Sequence, residues 1–270
     1  IEYEYPKINE NIDSNKMNVE LTFNKFFSRP IKANLSLIGK VQAENAALAA
    51  LCAKILFNDI SEDIIEKGLE NAFLSGRFEI LENPFNPRKK IILDGAHTVN
   101  SILGTIDSFR KTFQNKANLV FGAAKDKDIQ HIAKELIDCQ LLEKAFLTKP
   151  GSVKQSDLSL VEKAFQEKAK NQFTFVADED YTKILESAFL ESGKENKPLL
   201  ITGSFYLIAE AIVGLVGGIL LAVLTKKAEG LVYNRLDKIG IATNIILIPV
   251  YLSLSPLALA LGMFSYPEYD

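Results

Sequence analysis

From residue 77 onward the apolar positions alternate between two periods. Short, mostly apolar runs at 77–81, 90–94, 118–121, 144–148, 172–176 and 198–202 read as strands. Between most of them the spacing becomes helical. One stretch carries Ile102, Ile106, Phe109 and Phe113, and another Ile129, Ile132 and Leu136. A third has Val161 and Phe165, and a fourth Ile184, Leu185 and Phe189. Strand–helix alternation of this kind predicts an α/β fold, a Rossmann-like, mostly parallel sheet with helices on both faces. Ligands of such sheets bind beyond the carboxyl ends of the strands. The polar clusters at 94–100 (DGAHTVN), 122–128 (GAAKDKD) and 202–204 (TGS) all follow strands, so they are placed where a site should be.

The pattern before residue 77 is less regular. Residues 17–23 and 33–37 alternate apolar and polar positions and read as strands, with Pro30 between them. The first dozen residues show no clear pattern. Residues 42–57 predict a helix whose stripe of Leu48, Leu51, Cys52 and Ile55 should face the core. A second helix over 59–73 is opened by Ser61 and an acidic first turn, with Ile64 and Ile65 expected inward. After residue 211 the character changes again. Residues 207–224 hold one charge, Glu210, and residues 239–264 hold none. A bilayer core needs about 20 apolar residues in a helix. The stretch 212–270 is therefore expected to form a helical membrane hairpin, which gives divisions at 1–76, 77–211 and 212–270.

Composition narrows the classes. The 270 residues are 47% hydrophobic and 24% charged, with a net charge of −3, which gives no footing for a nucleic-acid surface. Two cysteines, Cys52 and Cys139, far apart, exclude a disulfide framework and a CxxC metal site and fit a reducing cytoplasm. No metal-ligand cluster is expected. The chain starts at Ile1 without a signal segment, and further sequence is expected upstream.

Several residues could carry chemistry, and each has a plain structural reading beside it. Asp94, at a strand end before Gly95, can accept ribose hydroxyls, with His97 reaching the same pocket; it can equally cap a helix. Gln42 and Asn45 offer the paired donor and acceptor that read an adenine edge, or simply face water at a helix start. Arg77 can fork onto a phosphate or make a surface salt bridge. Ser204, after Gly203, suits a carboxylate or phosphate, or a cap. Lys125 to Asp128 reads as a solvated helix start, and His131 carries no assigned role.

Taken in order, GKVQAENAALAAL, SGRFE, ILDGAH, VFGAAKDKD and ITGSFYLIAE resemble the folylpolyglutamate synthase/dihydrofolate synthase family of the Mur-ligase superfamily, over about residues 15–211. The resemblance implies that 1–76 is the end of a central ATPase domain and 77–211 a smaller Rossmann-like domain, with the active site between them. It implies an ATP-dependent ligase in the cytoplasm, monomeric, using Mg2+. The enzyme would join L-glutamate to a folate or dihydropteroate carboxylate through an acyl phosphate. Gln42 and Asn45 would lie at the adenine, Arg77 at the phosphates and Asp94 at the ribose. His97 and Ser204 would lie on the glutamate side, with His97 the catalytic candidate. Alternatives are another Mur-type ligase of cell-wall synthesis and a non-catalytic, membrane-anchored binding protein.

The departures from the family pattern are specific. Val41 precedes Gln42 where the family commonly has His, and Thr98-Val99 stand where it has Asn-Pro. No G-x-x-x-x-G-K-[ST] phosphate loop occurs, and Gly193-Lys194 is followed by Glu195. The magnesium ligands are expected upstream, so the chain alone is predicted to have no turnover. The tail adds a conflict. If 207–224 span, the loop with Lys226, Lys227, Arg235 and Lys238 lies on the far side, against the positive-inside rule. The expectation adopted is that this join is not a natural one.

Overall fold

In the computed structural model the residues described are 6–13, 15–83, 85–169, 173–195 and 197–217. The chain forms two compact units, Ile1–Ala211 and Ile212–Asp270. Most of the membrane hairpin expected over 212–270 lies outside the described residues. Among those described, no helix is long and apolar enough to cross a membrane.

The first unit opens with an antiparallel three-stranded sheet, β1 (Lys7–Asp13), β2 (Lys16–Thr22) and β3 (Ile31–Leu35), in that order. Strand β1 lies in the stretch where no pattern was expected. Its only two isoleucines, Ile8 and Ile12, sit opposite Leu21 and Met17. Met17, Val19, Leu21, Ile31, Ala33 and Leu35 make the buried face.

Helices α1 (Lys40–Leu56) and α2 (Glu62–Asn71) follow. Here the structure corrects the expected packing. The buried face of α1 is Ala43, Ala46, Ala47 and Ala50, whereas Leu48 and Ile55 are each 60% exposed and Cys52 is exposed. On α2, Ile65 is buried as expected but Ile64 points outward at 59% exposure. Alanine faces let backbones approach closely, and that fit decides the contact rather than the larger apolar stripe.

The second sheet is the predicted one. Its strands are β4 (Glu79–Asn83), β5 (Asn86–Asp94), β6 (Ala117–Phe121), β7 (Leu142–Leu147), β8 (Thr174–Ala177) and β9 (Leu199–Thr202). The order is β4-β5-β9-β6-β7-β8, with β4 antiparallel to β5 and the other pairings parallel. Helices α3 (Val99–Thr112), α4 (Ile129–Asp138), α5 (Leu158–Lys168) and α6 (Tyr181–Lys194) connect them. Residues 205–217 are also helical.

Register shows that helices cover both faces. Ile92, Leu200, Leu119 and Ala145 form one row and share a core with Ile102, Phe109, Ile132 and Phe165 of α3, α4 and α5. The neighbouring row, Ile91, Leu199, Asn118 and Lys144, points the other way. Lys144 there pairs with Glu191 of α6 at 2.8 Å, and α6 lies against β4, β5, β6, β7 and β9. The central strands β6 and β9 are buried on both sides, as a sheet between two helical layers requires.

Candidate functional site

The carboxyl ends of the parallel strands fall on one line. Asp94 pairs with Thr202, Thr202 with Phe121, Phe121 with Leu147 and Leu147 with Ala177. The loops carrying DGAH, GAAKDKD and TGS therefore leave the sheet at one edge, as the strand pattern predicted. The strand order doubles back there, because β9 enters between β5 and β6. Such a switch point opens a crevice suited to a ligand.

Asp94 ends β5 almost fully buried, at 9% exposure. One carboxylate oxygen accepts the Ala96 N–H at 3.0 Å and the other accepts the Thr105 hydroxyl at 3.0 Å. Burial pushes its pKa up to about 6, against the opposing pull of the Thr105 and Ala96 hydrogen bonds and the Arg77 charge. This is the strongest perturbation of a carboxyl at the sheet edge, and perturbed groups in clefts mark functional sites.

The segment before β4 is bound to this turn. The Gly95 N–H donates to the Gly76 carbonyl at 2.8 Å. Gly76 has φ 73°, and the buried Phe78 has φ 46°, a conformation that a bulky residue adopts only when held there. The Phe78 N–H in turn contributes to holding Asp94. The left-handed residues on either side of Arg77 thus lock SGRF onto DGAH.

Gly95 is needed for space rather than for turning. A Cβ there would lie 2.6 Å from the Phe205 ring. That ring also carries the Arg77 guanidinium, 4.6 Å above its centre, and meets the His97 ring edge-on at 6.3 Å. Arg77 makes no hydrogen bond or ion pair among the described residues. His97 Nδ1 lies 2.8 Å from the Gly95 carbonyl, which fixes the ring while Nε2 has no partner among the described residues. Ser204 is buried and its hydroxyl oxygen accepts the Tyr206 N–H at 3.2 Å, so the predicted cap is real and the hydroxyl proton stays available. Arg77 and His97 therefore meet at one ring, with Asp94 next to the Gly95 beneath it and Ser204 next to Phe205 itself. Phe205 was not singled out by sequence reasoning; its only signal was its position, directly after Gly203-Ser204.

Gln42 and Asn45 are elsewhere. Asn45 donates to Gln42 at 3.3 Å on the surface of α1. Gly39, at the start of their helix, packs against Ser108 of α3, one turn beyond Thr105. Thr98, in place of the family's Asn, caps α3 through a reciprocal pair with Ser101. Asp128 caps α4 and holds His131, and Lys127 pairs with Asp126, in keeping with a solvated helix start. Among the described residues no group of His, Cys, Asp and Glu could hold a metal ion.

This switch point and its motif order have counterparts among known proteins. Residues 76–205 match the family described as "Mur ligase, glutamate ligase domain". The chain's similar relatives include proteins of the folylpolyglutamate synthase type. It is 30% identical over 181 residues to a dihydrofolate synthase/folylpolyglutamate synthase of Bacillus subtilis, covering 65% of this chain and 39% of that protein. The structure is similar to folylpolyglutamate synthase from Thermotoga maritima, with a TM-score of 0.62, 25% identity and coverage of 80% and 47%. It shares the fold of Mycobacterium tuberculosis folylpolyglutamate synthase complexed with ADP and AMPPCP, with a TM-score of 0.64, 18% identity and coverage of 74% and 45%. The chain spans under half the length of these relatives.

Proposed function

We propose that this chain serves an ATP-dependent ligase that joins L-glutamate to the carboxylate of a folate or dihydropteroate in the cytoplasm. ATP, when bound, supplies the phosphoryl group that activates the carboxylate as an acyl phosphate, and the glutamate amine then displaces phosphate. The observation that carries this reading is the gathering of Arg77, Asp94, His97 and Ser204 at one sheet edge. Arg77 offers its guanidinium donors to phosphate oxygens. Asp94 keeps lone pairs beside its internal bonds for ribose hydroxyls. His97, anchored through Nδ1, presents Nε2 toward the glutamate side, and Ser204 presents a hydroxyl proton to a carboxylate. Gln42 and Asn45 are assigned to the adenine on the strength of the family resemblance alone. Mg2+ ligands and the phosphate loop are assigned to sequence other than these 270 residues.

The test has two arms. Calorimetric titration of the chain with ATP should give binding that Arg77→Ala weakens about tenfold or more, since charge-assisted contacts to phosphate are the strong ones. The chain alone, given ATP, glutamate and dihydropteroate, should show no turnover, because in-line phosphoryl transfer needs a metal and phosphate cradle. Turnover with a nucleotide-linked cell-wall peptide in place of dihydropteroate would overturn the folate assignment. Turnover of any kind by the chain alone would overturn its dependence on another segment.

A further inference from the structure

The four candidate residues come from three separate segments, and one side chain of the third touches the other two. The Phe205 ring lies over Gly95, where three of its carbons come within 2.7 Å of where a Cβ would be. It reaches Gly76 as well, at 3.5 Å from the corresponding position. It carries Arg77 on its face and His97 at its edge. Ile208, one turn further along the same helix, packs against Gly76 at 2.8 Å from its would-be Cβ. Two side chains at i and i+3 therefore seat this helix on the SGRF and DGAH turns. The glycines of both turns are explained by what they make room for.

From this we infer that Phe205 is a positioning residue: its ring fixes the Arg77 guanidinium and the His97 imidazole against the Gly95 turn, so that an anionic ligand meets both already oriented. The inference rests on the functional reading above for the identity of that ligand, but not for the geometry. Arg77 has no hydrogen-bonding partner among the described residues, so the ring face is its main restraint beside the field of Asp94. A cation over an aromatic face gains from the ring quadrupole, which an aliphatic side chain of similar bulk lacks. Orientation before binding removes an entropic cost that a freely rotating guanidinium would carry into the complex.

The experiment compares Phe205→Leu with Phe205→Tyr in the 270-residue chain. Nitrogen-15 relaxation of the Arg77 Nε–H needs no ligand. Phe205→Leu should mobilise it to the level of a free surface arginine, and Phe205→Tyr should leave it at the wild-type value. In parallel, ATP affinity should fall roughly tenfold in Phe205→Leu, the scale of a partly desolvated cation–π contact, and stay within about twofold in Phe205→Tyr. A ring that only fills space predicts no change in Arg77 mobility for the leucine variant, and that result overturns the inference. If Phe205→Leu fails to fold, Phe205→Met takes its place with the same expectations. If the wild-type chain binds no ATP, the functional reading fails, while the Arg77 measurement still decides the positioning role.

Discussion

Helices α1 and α3 are read from sequence by the same rule and behave differently. On α3 the predicted stripe is the buried one, and Ile102, Ile106 and Phe109 are all in the core. On α1 the predicted stripe of Leu48, Leu51, Cys52 and Ile55 is exposed except for the half-buried Leu51, and the alanines on another face are buried. Both helices have an apolar stripe at helical spacing. The difference is that α1 has two apolar faces, one small and one large. Periodicity finds apolar faces, but the partner's shape decides which is used. Helix α1 lies against β1, α2 and α3, and Gly39 at its start abuts Ser108 of α3.

Substitutions on the two helices test that contrast, and the largest effect belongs to α3. Phe109 is 1% exposed and stacks on Phe113 at 4.9 Å. Phe109→Ala should cost about 3–5 kcal/mol of unfolding free energy, measured by urea denaturation. A cost under about 1 kcal/mol would show that the α3 side of the core is looser than its burial indicates.

The site itself should respond next. Folded Asp94 holds its proton to about pH 6, whereas an unfolded aspartate releases it near 4. The folded state therefore binds more protons between these values. The contribution of Asp94 to stability is full below about pH 4 and is lost as pH rises through 6. Glu62, Glu66 and Asp180, held below the usual carboxylate range by hydrogen bonds, slope the other way. The comparison must therefore be with Asp94→Asn rather than across pH alone. Relative to that variant, the wild type should lose on the order of 2 kcal/mol between pH 4.5 and 7. A parallel pair of pH–stability curves would remove Asp94 as a perturbed group.

Gly95→Ala tests the same region by overpacking. The added methyl meets the Phe205 ring, so the variant should lose about 1–3 kcal/mol. Phe205→Leu in the same chain should restore part of it, a coupling that only neighbours show.

Much of this architecture was legible. The strands of the parallel sheet, its helices and the placement of the polar clusters at one edge all follow from period and order. Strand β1 was not, because Ile8 and Ile12 are its only apolar residues and its pairing partner, β2, supplies the burial. At the site, Arg77, Asp94, His97 and Ser204 could be named from motifs, because each carries a polar group with known chemistry. Phe205 could not, since an aromatic beside a turn reads as core until its neighbours are known. The positive φ of Phe78 was equally silent, because it arises from contacts between segments distant in sequence. Gly95 was silent for a related reason: its φ is not left-handed, and the constraint is the ring above it.

The smallest expected effect is on α1 and is the sharpest test of the opening contrast. Leu48 is 60% exposed, so Leu48→Ala removes little buried surface and leaves no cavity. Alanine and leucine are both strong helix formers, so propensity hardly changes. Stability should stay within about 0.5 kcal/mol. Ala47, the preceding residue, is 3% exposed, and Ala47→Leu should cost about 1–3 kcal/mol because the close approach of the alanine face leaves no room. The pair inverts the usual expectation that the larger apolar side chain matters more. If Leu48→Ala instead proves as costly as a core truncation, the large face of α1 is covered in solution, and the alanine face is only one of two contacts that hold this helix.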